Sequence, residues 1–233
     1  MSSAFPSIPR TVLRAFAALS IVATLATSAP AAAALVQNDW ANGSLNVTVN
    51  RPTAPGQSTA VGGFTGVFNG AAFLSYCIEL AQQFTFGIAY HNYSVVPVAS
   101  APGSSPMGPV KAMDLALLVG KHFTDSFTST VKTVAMQLAI WEIVYETPVQ
   151  TYDVKLGAFN VNAGDANVES ARDQANTWLT GLSNLNDRVY APIIALGSRD
   201  EQDFITVVPV PTSAALLAGG LLFGLWGTRR RRA

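Results

Sequence analysis

From residue 35 to residue 98 apolar and polar side chains alternate in short runs, at 44–50, 63–68, 72–80, 84–89 and 93–98, with Gly, Pro and Asn between them. A period of two with that punctuation predicts antiparallel strands. Residues 100–109 (SAPGSSPMGP) have no period and predict a loop. Beyond them the period lengthens. Val110, Met113, Leu117 and Leu118 recur within 110–123, and Val131, Val134, Leu138, Trp141 and Val144 or Tyr145 recur within 128–146, so both stretches predict helices. Asp165, Asn167 and Glu169 open a third helix that runs through Ala171, Ala175, Trp178 and Leu179 to Gly181. Strand character returns at 189–196 and 204–208. The expected fold class is α+β: an antiparallel β-sandwich or barrel-like domain with inserted helices on one side.

The two ends follow other patterns. Residues 1–34 have Arg10 and Arg14, an apolar core at 15–26 and a small-residue stretch ending in four alanines, the layout of a secretory signal peptide cleaved near Ala34. At the other end a polar start with Pro209 and Pro211 leads into an uncharged run, 213–227, and then Arg229, Arg230, Arg231 and Arg232. Such arginines stay on the cytoplasmic side of a bilayer, which predicts a transmembrane helix with the bulk of the chain outside the cytoplasm. The run is short for a span, which takes roughly 20 apolar residues. Three parts are expected: a signal peptide, 1–34; an exported domain, 35–206; and a C-terminal sorting or anchoring segment, 207–233.

Charge follows from this division. The chain has 14 basic and 14 acidic residues, and Arg10, Arg14 and Arg229 to Arg232 belong to the ends. The exported part therefore carries eight basic against fourteen acidic residues, a net charge of −6, which argues against a nucleic-acid partner. Its single cysteine, Cys77, has no intramolecular disulfide partner, so it is buried, paired between chains, or chemically used.

The segment Val208-Pro209-Val210-Pro211, followed by the apolar run and Arg229 to Arg232, resembles the PEP-CTERM protein-sorting signal, in an apolar variant with Val210 at the central position. The resemblance implies an inner-membrane stage, processing by an exosortase-type enzyme, and a final place at the cell surface or in an exopolysaccharide matrix of a Gram-negative bacterium. An ordinary single-pass anchor is the alternative.

Two motifs inside the domain carry candidate chemistry. Tyr76-Cys77-Ile78-Glu79 lies on a predicted strand, and Met136-Gln137-Leu138-Ala139-Ile140-Trp141-Glu142 lies on the most apolar predicted helix. Together, and with Phe86-Gly87 and the Tyr90 or Tyr93 region, they resemble the thioester domain of bacterial surface adhesins over about 62–146. The resemblance implies that Cys77 and Gln137 condense into an internal thioester, with Tyr76, Val134 and Trp141 as supporting residues, and that a surface amine or glycan hydroxyl of a partner then displaces the thiol. Taken singly, a cysteine on an apolar strand is a small buried hydrophobe, and a glutamine on an amphipathic helix is a hydrogen-bonding group at the core edge. The expected function is a non-enzymatic, exported adhesive protein; the alternatives are a structural matrix protein whose Cys77 and Gln137 are only packed, and a secreted hydrolase, for which no nucleophile elbow is present. No cofactor is expected. His91 and His122 have no metal-spaced partner, which leaves no zinc site, and helix capping accounts for Asp165, Asn167 and Glu169 better than calcium does.

Overall fold

Alternation along the chain becomes a ring of strands in the computed structural model, which describes residues 33–147, 151–184 and 186–208. The strands are β1 (Ala33–Trp40), β2 (Leu45–Arg51), β3 (Ala54–Val61), β4 (Phe64–Phe68), β5 (Ala71–Cys77), β6 (Tyr90–Val96), β7 (Asn160–Val161), β8 (Ile193–Gly197) and β9 (Phe204–Val207); the helices are α1 (Gly108–Ser126), α2 (Thr130–Tyr145) and α3 (Ala166–Thr180). Six strands close an antiparallel barrel in the order β1-β4-β5-β9-β8-β6, and β3-β2-β7 form a separate three-stranded sheet. The fold is thus α+β, and of the two expected β architectures it is the barrel.

The turn between β4 and β5 sets the register of the site. Asn69 (φ 51°) and Gly70 (φ 82°) both occupy the left-handed region, the geometry of a tight two-residue hairpin. The ladder then runs from Phe68↔Ala71 to Phe64↔Ser75. Opposite this hairpin, a side chain at Gly66 would begin 2.5 Å from the Val36 carbonyl oxygen, so the close approach of β1 and β4 requires glycine there. The barrel interior is aromatic and aliphatic: Leu35, Phe64, Tyr93, Leu196 and Phe204 are all buried.

Helix α2 starts where Ser129 Oγ accepts the Lys132 N–H (3.3 Å) and ends at an extended Glu146. Every residue of 133–144 is buried, because α2 packs on α1 and α3 and touches β2, β3 and β5 as well. Burying a side chain such as Leu138 or Ile140 contributes about 1.5–3 kcal/mol, so this central helix is anchored on all sides. Helix α3 is capped by Asp165 Oδ1, which accepts from Asn167 N (2.9 Å) and Val168 N (3.0 Å).

Several expectations need correction. Residues 84–89 are loop, not strand; Phe84 and Phe86 turn inward onto Phe64 (ring centroids 5.1 and 6.1 Å) instead of alternating along a ladder. Val110 and Met113 do not face the core: both are about half exposed, and α1 packs through Leu115, Leu117, Leu118 and Val119. The late strand begins at Ile193 rather than at 189, since Val189 and Tyr190 are exposed and Ala191 N–H is taken by Ala116 C=O of α1 (2.9 Å). Among the described residues no helix is long and apolar enough to cross a membrane. The expected signal peptide up to residue 32, the sorting residues Pro209, Val210, Pro211 and Arg229 to Arg232, and the apolar run before those arginines lie outside the described residues.

Candidate functional site

Cys77 is the last residue of β5 and pairs with Phe204 of β9. Strand alternation sends its neighbour Tyr76 toward the end of α1, where the hydroxyl donates to Ser126 Oγ (2.8 Å) and the ring packs on Phe127 (5.1 Å). Cys77 is sent the other way. On the edge of β5 that faces away from β9, the ladder to β4 has already ended at Phe64↔Ser75, so the backbone of Cys77 lacks a strand partner there. Gln137 supplies one. Its Oε1 accepts the Cys77 N–H (3.0 Å) and its Nε2 donates to the Cys77 carbonyl (2.7 Å), the same pair of bonds that an antiparallel strand residue would make. Gln137 is fully buried, and these two bonds satisfy groups that would be costly to leave unpaired.

The other expected supporting residues surround this pair. Val134 and Trp141, on α2 before and after Gln137, are both buried. The indole Nε1–H of Trp141 is buried without an oxygen or nitrogen acceptor, and its influence falls on the Cys77 thiol. Burial pushes the thiol pKa well up, more than Trp141 lowers it, so at neutral pH the free group is a thiol and not a thiolate.

Cys77 and Trp141 also line a cavity of about 190 Å³, together with Trp40, Phe64, Phe84, Phe86 and the amides of Gln57, Gln82, Gln83 and Gln202. The walls are aromatic and uncharged. The 84–89 loop shapes one wall, held by Gly87 N–H on the Gln37 carbonyl (2.9 Å) and Thr85 N–H on Tyr90 Oη (2.8 Å). A small reagent therefore has a path to the sulfur side of the pair, while Gln137 itself stays behind it.

Acidic groups around the pair were not expected from the sequence. Glu79, two residues after Cys77, is buried with Oε1 accepting from Ser104 Oγ (2.5 Å), and Asp203 is buried with its oxygens accepting from Gly103 and Ser198 N–H (2.9 and 2.8 Å). Burial raises both pKa values. Glu142, next to Trp141, is fully buried; one oxygen accepts the Asp153 N–H (2.8 Å) and the other has no partner. Burial pushes its pKa up to about 8. A glutamate inside the apolar run of α2 was the signal available, and only the packing of α2 on all faces gives it meaning.

His91 is exposed, whereas His122 stacks on Trp178 (4.9 Å, 16°) with its pKa lowered by burial. Among the described residues no group of three or more His, Cys, Asp or Glu could hold a metal ion. Val208, the one sorting residue described, donates its N–H to the Pro192 carbonyl (2.8 Å). No protein-family model, curated protein or solved structure matches the chain.

Proposed function

We propose that this protein is an exported surface or matrix component, sorted and processed through its C-terminal PEP-CTERM-like segment, whose Cys77 and Gln137 condense into an internal thioester for covalent adhesion. The observation that carries the adhesive part is the double hydrogen bond that holds the Gln137 side-chain amide against Cys77. In the reaction Cys77 Sγ adds to Gln137 Cδ, the C–N bond breaks, and the thiol proton leaves with the nitrogen as ammonia. The two bonds fix the amide on the Cys77 backbone, and its reaction with the thiol of the same residue would be intramolecular instead of an unfavourable bimolecular encounter. A partner's amine entering the cavity at the sulfur would take the acyl group and restore the thiol.

The same two bonds support a second reading, in which Gln137 only completes the strand edge at Cys77 and the raised thiol pKa keeps the cysteine inert. Intact mass of the purified full-length chain separates the two. A mass lower by one ammonia, gain of a whole methylamine on incubation with that amine, and loss of the deficit in Cys77→Ala support the thioester. An unshifted mass with a thiol that alkylates once the chain is denatured leaves the structural reading.

The sorting part rests on the order of signals at the end of the chain. Cleavage within 209–211 would leave every described barrel bond intact, since the last of these is made by Val208 N–H. C-terminal peptide mapping of the protein recovered from the host's surface or medium tests it: a new terminus at 208–211 is expected, and an intact arginine tail would overturn processing.

A further inference from the structure

We infer that a second cavity, of about 560 Å³ and sharing no residue with the one at Cys77, binds a carboxylate-bearing saccharide of the uronic acid type. The volume falls within the roughly 300–1,000 Å³ range of small-molecule sites. In a domain with few cations, their distribution is informative: Lys121, Lys132, Lys155 and Arg172 are ion-paired with Asp187, Asp125, Asp173 and Glu169. Of the four described cations outside any ion pair, Arg51, Lys111, Arg188 and Arg199, the first two line this cavity.

Each is held rather than loose. Arg51 donates from Nε to Gln57 (3.3 Å) and from Nη1 to Thr53 (3.0 Å) and lies over the Tyr145 ring at 5.9 Å, which leaves the outer edge of its planar fork for a bidentate carboxylate. Lys111 Nζ donates to the Val144 carbonyl (2.7 Å) and keeps two N–H groups. Of the nearby carboxylates, Glu79 accepts from Ser104 and Glu146 from Phe159 N–H, while Glu142 accepts from Asp153 N–H with one oxygen and has no partner at the other. The remaining wall suits a sugar, with the hydroxyls of Ser105 and Thr147 for its ring hydroxyls and Pro106 for its C–H face. The N-terminus of α1 begins here at Met107 with no side-chain cap and no acidic residue in its first turn, which adds partial positive charge.

Calorimetric titration of the full-length chain with tri-galacturonate, and with neutral galactotriose as its uncharged counterpart, tests the site. Saturable binding of the acidic sugar alone is expected, weakened about tenfold or more in Arg51→Gln and in Lys111→Gln, as loss of a charge-assisted contact predicts, and unchanged in Cys77→Ala. Should one of the charge variants fail to fold by circular dichroism, the other and the charge-retaining Lys111→Arg decide. Absence of saturable binding, equal binding of galactotriose, or wild-type affinity in folded charge variants would overturn the inference. Displacement by inorganic phosphate at equal affinity would mark a general anion site and overturn the saccharide assignment.

Discussion

The side-chain amide of Gln137 occupies the position of a strand residue beside Cys77, bonded to its N–H at 3.0 Å and to its C=O at 2.7 Å. Helix and barrel are thereby joined at the one point where the β4–β5 ladder runs out. Gln137→Ala removes both bonds and leaves a cavity in the core, so a loss of about 2–4 kcal/mol is expected in urea unfolding. Gln137→Glu keeps the acceptor and loses the donor, and should fall between the two.

Cys77 in its thiol form should be a poor nucleophile in the folded protein. It is 3 % exposed and its pKa is raised by burial, so iodoacetamide at neutral pH should modify it at least about 100-fold more slowly than in denaturant, where the thiol recovers a pKa near 8.5. Timed quenching and peptide mass analysis check this. Rapid native labelling would mean that the cavity at Trp141 opens far wider than its walls suggest.

Glu142 makes stability depend on pH in a defined direction. Its folded pKa, about 8, lies above the value of an unfolded glutamate, so between roughly pH 4.5 and 8 the folded state binds more protons than the unfolded one. Stability should therefore fall as pH rises through that window and level off above it. Glu142→Gln, which retains an acceptor for Asp153 N–H, should be more stable than the parent at pH 9 by about 1–3 kcal/mol and should flatten the slope. Denaturation midpoints at pH 5, 7 and 9 give the comparison.

Asp165 has a capping role with a measurable size. Losing its bonds to Asn167 and Val168 N–H in Asp165→Ala should cost about 1 kcal/mol. Added calcium should leave the melting temperature of the parent unchanged, because Asp165 Oδ1 already accepts from two N–H groups and Glu169 from Gly164 N–H and Arg172.

Much of the fold was legible where local and tertiary demands agree. The alternation of β4 and β5 around Asn69-Gly70, although β5 ends at Cys77 rather than at 80, the helical period of α2 and the Asp165 cap agree with the structure. Strand β3, Ala54–Val61, escaped because four of its residues are exposed and its pairing with β2 needs little apolar pattern. Strand β1 hides beside a small-residue stretch and buries a polar residue, Gln37, whose Nε2 is satisfied across the barrel by Ser75 (2.8 Å). The run 84–89 misled because Phe84 and Phe86 are apolar for the sake of a cavity wall, a role that shares composition but not geometry with a strand. Of the candidate site, Cys77, Gln137 and Trp141 were named from a resemblance, and the structure brings them together. The strand-like hydrogen bonding between two of them is tertiary and has no signature in spacing. The acids Glu79, Glu142 and Asp203 could not be read as buried, since burial of a charge depends on partners supplied from distant parts of the chain.

The closure of the barrel has a temporal side. β1 is joined to β4 and β6, and β9 sits between β5 and β8, so the ring contains both the earliest and the latest strand of the domain. No ring can form until Phe204–Val207 has been delivered. A chain that crosses a membrane in sequence order would have to keep β1, β4, β5 and β6 apart from wrong partners while the three helices and the last hairpin arrive, and pairings this distant are slow to form. Folding of the domain is therefore tied to the arrival of β8 and β9, and a chain stalled before β8 would present open strand edges to its neighbours.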